Sequence, residues 1–344
     1  MADTWLLIET FGGHRREPTV MGVGSVPKRM VPLRTVLGRG RYLTDVRDLV
    51  AEVATSRQLV RTTSTDRQRQ LIGHPLKAFT GRVHGVFVWL GRPDAQPPAR
   101  DPAGAWHFNL STNVIGGSDD LLDLYGVAPE DRRTQRTTAE AFGRLVTNAD
   151  EAAALAMLVR SEPGAEHQAT WTVRRDDGAL RAANFACRTV AERSGDRVEV
   201  VLRGITHDIG AAENVPAAPP ATPMLLAAQV LAAEQVAGQW RAIVNLRTLA
   251  LLRWIDDPMP GIAWQHDAAH RPGIHRRDLA AAIRMSNTLA STGRVTAVLR
   301  CRSTDGGWTP VSVSANLMLL DQHTTAALVT LRLPDRAANI SVDE

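Results

Sequence analysis

The chain has 344 residues, of which 44% are hydrophobic, and its formal net charge is +4. This length suffices for two or three domains, and this hydrophobic content excludes a largely disordered chain. The apolar runs are too short to predict a membrane span, and the acidic residue near the N-terminus is unlike a secretory signal. We therefore expect a cytoplasmic globular protein.

The two cysteines, Cys187 and Cys301, exclude a disulfide framework and a multi-cysteine metal site. Both lie in predicted strands of different domains, so we expect buried, inert thiols. The basic residues are almost all arginine, and pairs such as Arg174-Arg175 have acidic residues nearby. Without interleaved aromatic residues, these pairs predict solvated faces or ion pairs, and no nucleic-acid partner.

One stretch, from Ala169 to Ile209, predicts three strands joined by polar turns. Looser copies of it run from Leu59 to Gly91 and from Val295 to Arg332. An aspartate marks the first turn of each copy, and these aspartates are Asp66, Asp177 and Asp305. The copies recur roughly 110 to 130 residues apart, which is the size of a small domain. The sequence therefore predicts three related domains in a row.

Two of the marked turns have a structural explanation in their residue types. Asp177-Gly178 and Asp305-Gly306 suit tight hairpins, because glycine tolerates a positive φ and aspartate bonds its own backbone. Arg67 follows Asp66 in the first copy. That copy is therefore expected to turn differently or with a longer loop.

The first predicted domain covers residues 1–97. It contains short strands, a helix from Thr44 to Val53 with Thr44 as its N-cap, and the hairpin copy. A proline-rich linker, RPDAQPPARDPAG, follows. Its composition separates the first domain from the second.

The second predicted domain covers residues 104–211. It opens with the strand WHFNLST, a Gly-Gly-Ser turn and a short helix on DDLLDLYG. A helical stretch from Thr138 to Arg160 is predicted to break near Asn148-Ala149-Asp150 before the three strands. This order predicts one antiparallel sheet with helices on one face.

The third predicted domain covers residues 224–335 and follows a second Pro- and Ala-rich linker. Its leading helix is predicted to present an apolar face, a candidate interface made of Leu225, Leu226, Val230 and Leu231. A purely intramolecular spacer remains the alternative for this helix. Beyond it, the pattern predicts a strand from Trp240 to Asn245, a helix on LRTLALLRWI and a helix from Arg276 to Leu289.

The second domain resembles a PAS sensor domain in WHFNLSTNVIGGSDDLLDLYG, LVTNADEAAALAML and the hairpin TVRRDDGALR. Its ending, GITHDIG, resembles the Asp-Ile-Thr exit of that family, with Asp208 and Ile209 matching and Gly210 replacing the threonine. The third domain matches through CRSTDGGW, and the first is divergent, of either PAS or GAF type. The whole chain resembles a mycobacterial family of triple sensor-domain proteins with an N-terminal domain of unknown function and no output domain. This resemblance implies signalling and no particular ligand.

The same ending spells HDIG, a metal-binding signature of phosphohydrolases in which His and Asp lie on a helix. Here it follows a predicted strand and leads into a linker, so the context favours the sensor exit. A second histidine group, HDAAHRPGIH, could supply metal or haem ligands, but its Arg-Pro-Gly favours a solvated loop. We therefore expect no metal and no cofactor.

Together these features predict an α+β protein of three tandem PAS/GAF-like domains, each an antiparallel sheet with helices on one face. The expected function is a non-enzymatic sensor or scaffold that regulates a protein partner, with a small-molecule ligand as a further input. The first alternative is a receptor that holds a ligand in one domain, most plausibly the second. A metal-dependent phosphohydrolase acting through the HDIG residues is the other alternative.

Overall fold

A computed structural model of the chain describes residues 4–13, 16–146, 150–214, 236–267 and 269–334. These residues form an α+β protein of three domains, each built on an antiparallel sheet, with few helices. The predicted α+β class and the predicted three antiparallel sheets are confirmed. The candidate interface formed by Leu225, Leu226, Val230 and Leu231 lies outside the described residues and stays a prediction.

The first sheet has the strand order β3-β2-β1-β6-β5-β4. Its strands are β1 (Leu6–Glu9), β2 (Thr19–Val23), β3 (Val26–Pro32), β4 (Val60–Thr63), β5 (Gln70–Lys77) and β6 (Val83–Gly91). The second sheet has the order β10-β11-β12-β7-β8-β9. Its strands are β7 (Ala103–Asn109), β8 (Val114–Gly117), β9 (Gln135–Thr137), β10 (Glu166–Arg174), β11 (Leu180–Ser194) and β12 (Arg197–Ala211).

The third sheet has the order β14-β13-β17-β16-β15. Its strands are β13 (Trp240–Val244), β14 (Leu251–Trp254), β15 (Arg294–Arg302), β16 (Trp308–Leu319) and β17 (Thr325–Arg332). In every sheet the first strand of the domain pairs with the second strand on one side and with the last strand on the other. The two strands that precede the last one in the chain continue the sheet beside it, and in the first two sheets one further strand extends the opposite edge. The repeat seen in the sequence is therefore a repeat of topology.

Six α-helices accompany the sheets in the described part of the chain. They are α1 (Leu33–Leu37), α2 (Tyr42–Ser56), α3 (Asp119–Leu124), α4 (Thr138–Gly143), α5 (Glu151–Arg160) and α6 (Leu279–Thr292). Helix α2 contains the predicted helix, but it begins two residues before Thr44, with Arg41 at the N-cap position. Arg41 already has helical dihedral angles, so the chain has turned before the threonine hydroxyl can cap it. None of the described helices is long and apolar enough to cross a bilayer.

Two local predictions are wrong. Gly116 and Gly117 end strand β8, and the turn comes at Ser118, whose hydroxyl accepts the Leu121 amide and caps α3. The stretch LRTLALLRWI forms a turn and strand β14, which pairs with the antiparallel neighbour β13. Within the turn, Asn245 Oδ1 accepts the amide of Arg247 at 2.8 Å.

The chain divides into two compact units. The first comprises residues 1–135, 144–146 and 161–217, and thus holds the first two sheets. The second comprises residues 136–143, 147–160 and 218–344, and holds the third sheet together with α4 and α5. In the second unit, Glu151 of α5 pairs with Arg253 of β14 at 2.8 Å. The sequence predicts these two helices beside the second sheet, whereas they group with the third.

In the first unit the first sheet is covered on both faces. Leu6 and Ile8 of β1 pack in a core with the apolar side of α2, including Val46 and Val50. Leu7, between them in sequence, points the other way into a core shared with the second sheet. The residues of this shared core are Trp5, Leu7, Phe11, Met21, Ile72, Leu76, Ala78, Phe87, Trp89, Ala103, Ala105, Ala186 and Ile205. Alternation along β1 thus gives three layers, which are helix, first sheet and second sheet.

Candidate functional site

The three marked turns share two features, which are an aspartate side chain that accepts a backbone amide and a positive φ at the next residue. The aspartate carboxylates accept the amides of Gln68, Ala179 and Gly307 at 2.9 to 3.0 Å. The residue after each aspartate has a positive φ, at Arg67 (55°), Gly178 (83°) and Gly306 (88°). The turns therefore recur as a structural device of the repeat.

The first turn is the longer one. Its closing bond runs from the Ser64 amide to the Arg69 carbonyl, while the second runs from Arg175 to Ala179. The extra residue accompanies a non-glycine at the left-handed position, where Arg67 stands. This is the longer loop expected where Asp66 lacks a following glycine.

The expected signal exit lies at the end of β12. Asp208 is 4% exposed, and Arg181 of β11 holds its carboxylate with two nitrogens, Nε at 2.9 Å from Oδ2 and Nη2 at 3.0 Å from Oδ1. The Gly210 amide also donates to Asp208 Oδ1 at 2.9 Å. This pairing raises the pKa of Arg181. Ile209 is buried beside it, so the exit residues form a fixed strand end.

His207 points to the face of the sheet opposite Asp208. Its imidazole is 1% exposed and packs edge-on against Phe87 of the first sheet, with ring centroids 6.4 Å apart. Neighbouring residues on a strand face opposite sides. The two candidate ligands of the HDIG signature therefore cannot hold one metal between them. Among the residues described, no three His, Cys, Asp or Glu side chains converge to hold a metal.

Glycines let the first two sheets approach closely. A Cβ on Gly85 would lie 2.6 Å from Ile205 Cδ1, and a Cβ on Gly22 would lie 3.2 Å from the His207 ring. A Cβ on Gly116 would overlap the ring of Phe79. At each position a side chain from the opposite sheet occupies the space that a Cβ would need. The interface is therefore fitted to these two sheets.

Charged side chains are buried in the same interface. Arg188 of β11 binds Glu166 Oε1 through Nη2 at 2.8 Å, and this nitrogen lies 3.7 Å from Glu9 Oε1 of the first sheet. Arg203, its cross-strand neighbour, binds Glu192 at 2.7 Å and donates to the Phe11 carbonyl. A buried ion pair adds little net stability, but removing one partner is costly. This layer of buried charged residues therefore favours one placement of the two sheets against each other.

Two histidines complete this layer. His84 of β6 is fully buried, and its Nδ1 lies 3.3 Å from the Gly204 carbonyl of β12. Its ring centroid is 6.4 Å from that of His107 in β7. Burial lowers the pKa of His84 to about 3 and also lowers that of His107.

Sequence reasoning missed this layer. The available signal was the presence of Arg188 and Arg203 two residues from the apolar Ala186 and Ile205, and therefore on the same faces of their strands. A charged residue at an inward position requires a buried partner. The sequence does not show where that partner is.

The remaining candidates have structural surroundings. Burial raises the pKa of Cys187 to about 12 and that of Cys301 to about 11, so both are thiols at neutral pH. Of the loop histidines, the His266 amide donates to Glu140, His270 Nδ1 is 3.3 Å from Asp267, and His275 packs on Trp308. Each of the three histidines therefore has its own, different neighbours.

Family models match consecutive parts of the chain. Residues 4–99 match the N-terminal domain, residues 102–208 the middle domain and residues 224–341 the C-terminal domain of the Rv3651-like family. A crystal structure of an uncharacterized protein from Mycobacterium tuberculosis is 31% identical, covers 97% of both chains and gives a TM-score of 0.84. No curated protein shows significant similarity to the chain.

Two sensor proteins are more distant. A sensory box histidine kinase/response regulator from Burkholderia thailandensis is 18% identical over 32% of this chain and 79% of its own, with a TM-score of 0.25. An RNA-binding light-oxygen-voltage receptor is 13% identical over 67% of this chain and 95% of its own, with a TM-score of 0.26. These likenesses are too weak to bear on fold or function. The three consecutive matches and the nearly full-length relative establish the three-domain organisation, and the chain belongs to the Rv3651-like family.

Proposed function

We propose that the protein is a non-catalytic sensor or scaffold that acts through protein–protein contacts, with the end of β12 as the exit of its middle domain. The observation that carries this proposal is the clamp between Arg181 and Asp208. The carboxylate is buried, whereas the side chain of Arg181 is 36% exposed and can be reached from outside. A partner that competes for the guanidinium would leave a buried charge without its counter-ion, which strongly destabilises the strand end.

The repeated topology supports the hypothesis that the domains are PAS-like. All three sheets place the first and last strands of the domain side by side at the centre. Three copies of one sensor-type domain in a chain favour a role in receiving and passing on a signal. PAS-like or GAF-like identity is part of this proposal for each domain.

The groups that could have carried catalysis have structural roles instead. Asp208 is held by Arg181, His207 is packed between the sheets, and both cysteines are protonated thiols at neutral pH. These roles favour a protein that works by contact.

The direct test is affinity capture with the tagged full-length chain in cells of its source organism. We compare the wild type with Arg181→Gln and with Arg193→Gln, an exposed arginine on the same strand β11. The proposal predicts that the wild type and Arg193→Gln retain the same partner and that Arg181→Gln loses it by at least about tenfold. Circular dichroism must show that Arg181→Gln remains folded. Equal capture by all three proteins would contradict the assigned exit.

The alternative is a small-molecule receptor whose ligand lies in the second domain. The helix-facing side of the second sheet is filled at two glycines, because Trp106 covers Gly204 and Leu121 covers Gly104. This filling favours contact-based signalling. Native mass spectrometry of the purified chain distinguishes the two, since a retained ligand would favour the receptor. Metal-dependent phosphatase turnover that is abolished by Asp208→Ala would contradict both.

A further inference from the structure

The fully buried His84 links the first two sheets of the first unit. Its Nδ1 lies 3.3 Å from the Gly204 carbonyl of the second sheet, which it can bond in the tautomer that carries the proton on Nδ1. Its other ring nitrogen, Nε2, is buried and has no hydrogen-bond partner among the described residues. A neutral imidazole tolerates this arrangement. A protonated one would hold a buried, charged N–H without an acceptor, which is costly.

The surroundings of His84 are cationic or already paired. His107 lies beside it, and Arg203 is the cross-strand neighbour of His107 in β12. Arg82 is a further positive charge that acts on both histidines. His107 also has a buried ring nitrogen, Nδ1, to which no group in the described part of the chain forms a hydrogen bond.

The acidic groups near the pair have partners of their own. Arg203 holds Glu192 at 2.7 Å, and Asn109 donates to Glu199 at 2.7 Å. Glu9, on the neighbouring strand of the first sheet, accepts bonds from Thr19 and the Phe11 amide. Burial opposes a proton on either histidine, and Arg203 and Arg82 add to that opposition. At His107 the charges of Glu192 and Glu199 act the other way, but burial outweighs them and the pKa of His107 is still lowered.

We propose that the interface between the first two sheets is an acid-sensitive joint, closed while His84 and His107 are neutral and opened when they take up protons. This inference goes beyond the proposed function, because it requires no partner and names protons as an input to the first unit. Opening gives both imidazoles access to water, which solvates their charge.

The direction of the pH dependence follows from the pKa values. Burial, with Arg203, His107 and Arg82 adding to it, lowers the pKa of His84 to about 3 in the closed joint. A histidine in water has a pKa of about 6.5. Below about pH 6.5 the open form therefore binds more protons and gains up to about tenfold in population per pH unit from His84. The lowered pKa of His107 adds to this gain. Above that pH both histidines are neutral in the open form as well, so the closed form keeps its full stability there.

A buried thiol reports on opening in the full-length chain. Ala105 is fully buried in the core shared by the two sheets, so we place a cysteine there, in a chain with Cys187→Ala and Cys301→Ala. Labelling by 4,4′-dithiodipyridine, divided by the rate for the denatured chain at each pH, gives the opening equilibrium. We expect it to be nearly flat from pH 8 to 7 and to rise at least about fivefold between pH 6.5 and 5.5, the rise that His84 alone gives.

The matched reporter is Ala327→Cys, which is 2% exposed in the core of the third sheet. Its labelling should show no comparable rise, and far-UV circular dichroism should stay constant. A parallel rise at both reporters with loss of ellipticity would mean general unfolding and would overturn the proposal.

Two variants assign the effect to the histidines. His84→Phe keeps a ring against Phe11 and should reduce the rise at the Ala105 reporter between pH 6.5 and 5.5 by about fivefold. His107→Gln is the second, independent variant, should His84→Phe fail to fold, and it should also flatten the curve. His323→Gln, at an exposed histidine, should leave the curve unchanged. A flat curve in the parent chain would overturn the proposal. So would a rising curve that persists in both His84→Phe and His107→Gln.

Discussion

Individual residues in this chain are fitted to the packing of two sheets against each other. A Cβ added to Gly85 would lie 2.6 Å from Ile205 Cδ1 and 3.0 Å from the Ile8 carbonyl oxygen. Such a position tolerates an added methyl group only if the Ile205 side chain or a strand moves. Close packing of this kind is typical of protein interiors.

At this scale we expect Gly85→Ala to destabilise the first unit by about 1–3 kcal/mol, because it overpacks the interface. Chemical denaturation measures this change. Ile205→Val, which removes the Cδ1 atom in question, should recover part of the loss when combined with Gly85→Ala. Gly143→Ala is the control, since a Cβ there meets nothing within 4 Å. Equal effects at both glycines would show that the interface tolerates the methyl group.

The repeated element of the chain is the aspartate-marked turn, and its residue types explain most of its geometry. Gly178 needs a positive φ, and no neighbour would touch a Cβ there, so only backbone conformation is at stake. Arg67 adopts a similar φ in the longer first turn without glycine's freedom. The pairing of aspartate and glycine was visible in the sequence, while the conformation of Arg67 was not.

We expect Gly178→Ala to lower the free energy of unfolding by about 1–2 kcal/mol, the cost of the left-handed conformation for a residue with a Cβ. The reverse change, Arg67→Gly, should alter it by less than about 1 kcal/mol, because relief of strain and the greater freedom of the unfolded chain oppose each other. Thermal unfolding of the two variants measures both values. A larger loss at Arg67 than at Gly178 would show that the arginine side chain, and not its φ, stabilises the first turn.

At the scale of the whole molecule, the compact units do not follow the order of the chain. Helices α4 and α5 come from the middle of the sequence but group with the third sheet. Burial raises the pKa of Glu151 in α5, and Arg253 of the third domain opposes that rise. Arg160, at the end of α5, also contacts Asp321 and donates to Thr324 at 2.9 Å.

A chain that ends after residue 217 should therefore expose apolar surface and self-associate, although the cut falls in the predicted linker. It keeps α4 and α5 but removes Arg253 and the third sheet, leaving Glu151 and apolar helix surface without their partners. We expect more dye binding and more self-association than in the full chain, measured by fluorescence of a hydrophobic dye and by gel filtration. A monodisperse fragment with native-like stability would show that these helices do not depend on the third sheet.

The sequence by itself determined the α+β class, the three repeated sheets and the marked turns. These features rest on local patterns, such as alternation, turn residues and spacing, which a chain carries wherever it folds. It placed the HDIG residues after the last strand of the second sheet, whereas β12 continues through them to Ala211. It also predicted a helix after Asn245, where pairing with β13 makes a strand of a segment with a helical apolar pattern.

Only the tertiary structure decided which residues face one another. The buried layer of His84, Arg188, Arg203 and Glu9 joins residues more than a hundred positions apart, and no local pattern encodes such pairing. The same holds for α4 and α5, whose apolar faces show that they must be buried but do not show against which sheet. Burial depends on partners that are distant in sequence, so the structure was needed to identify them.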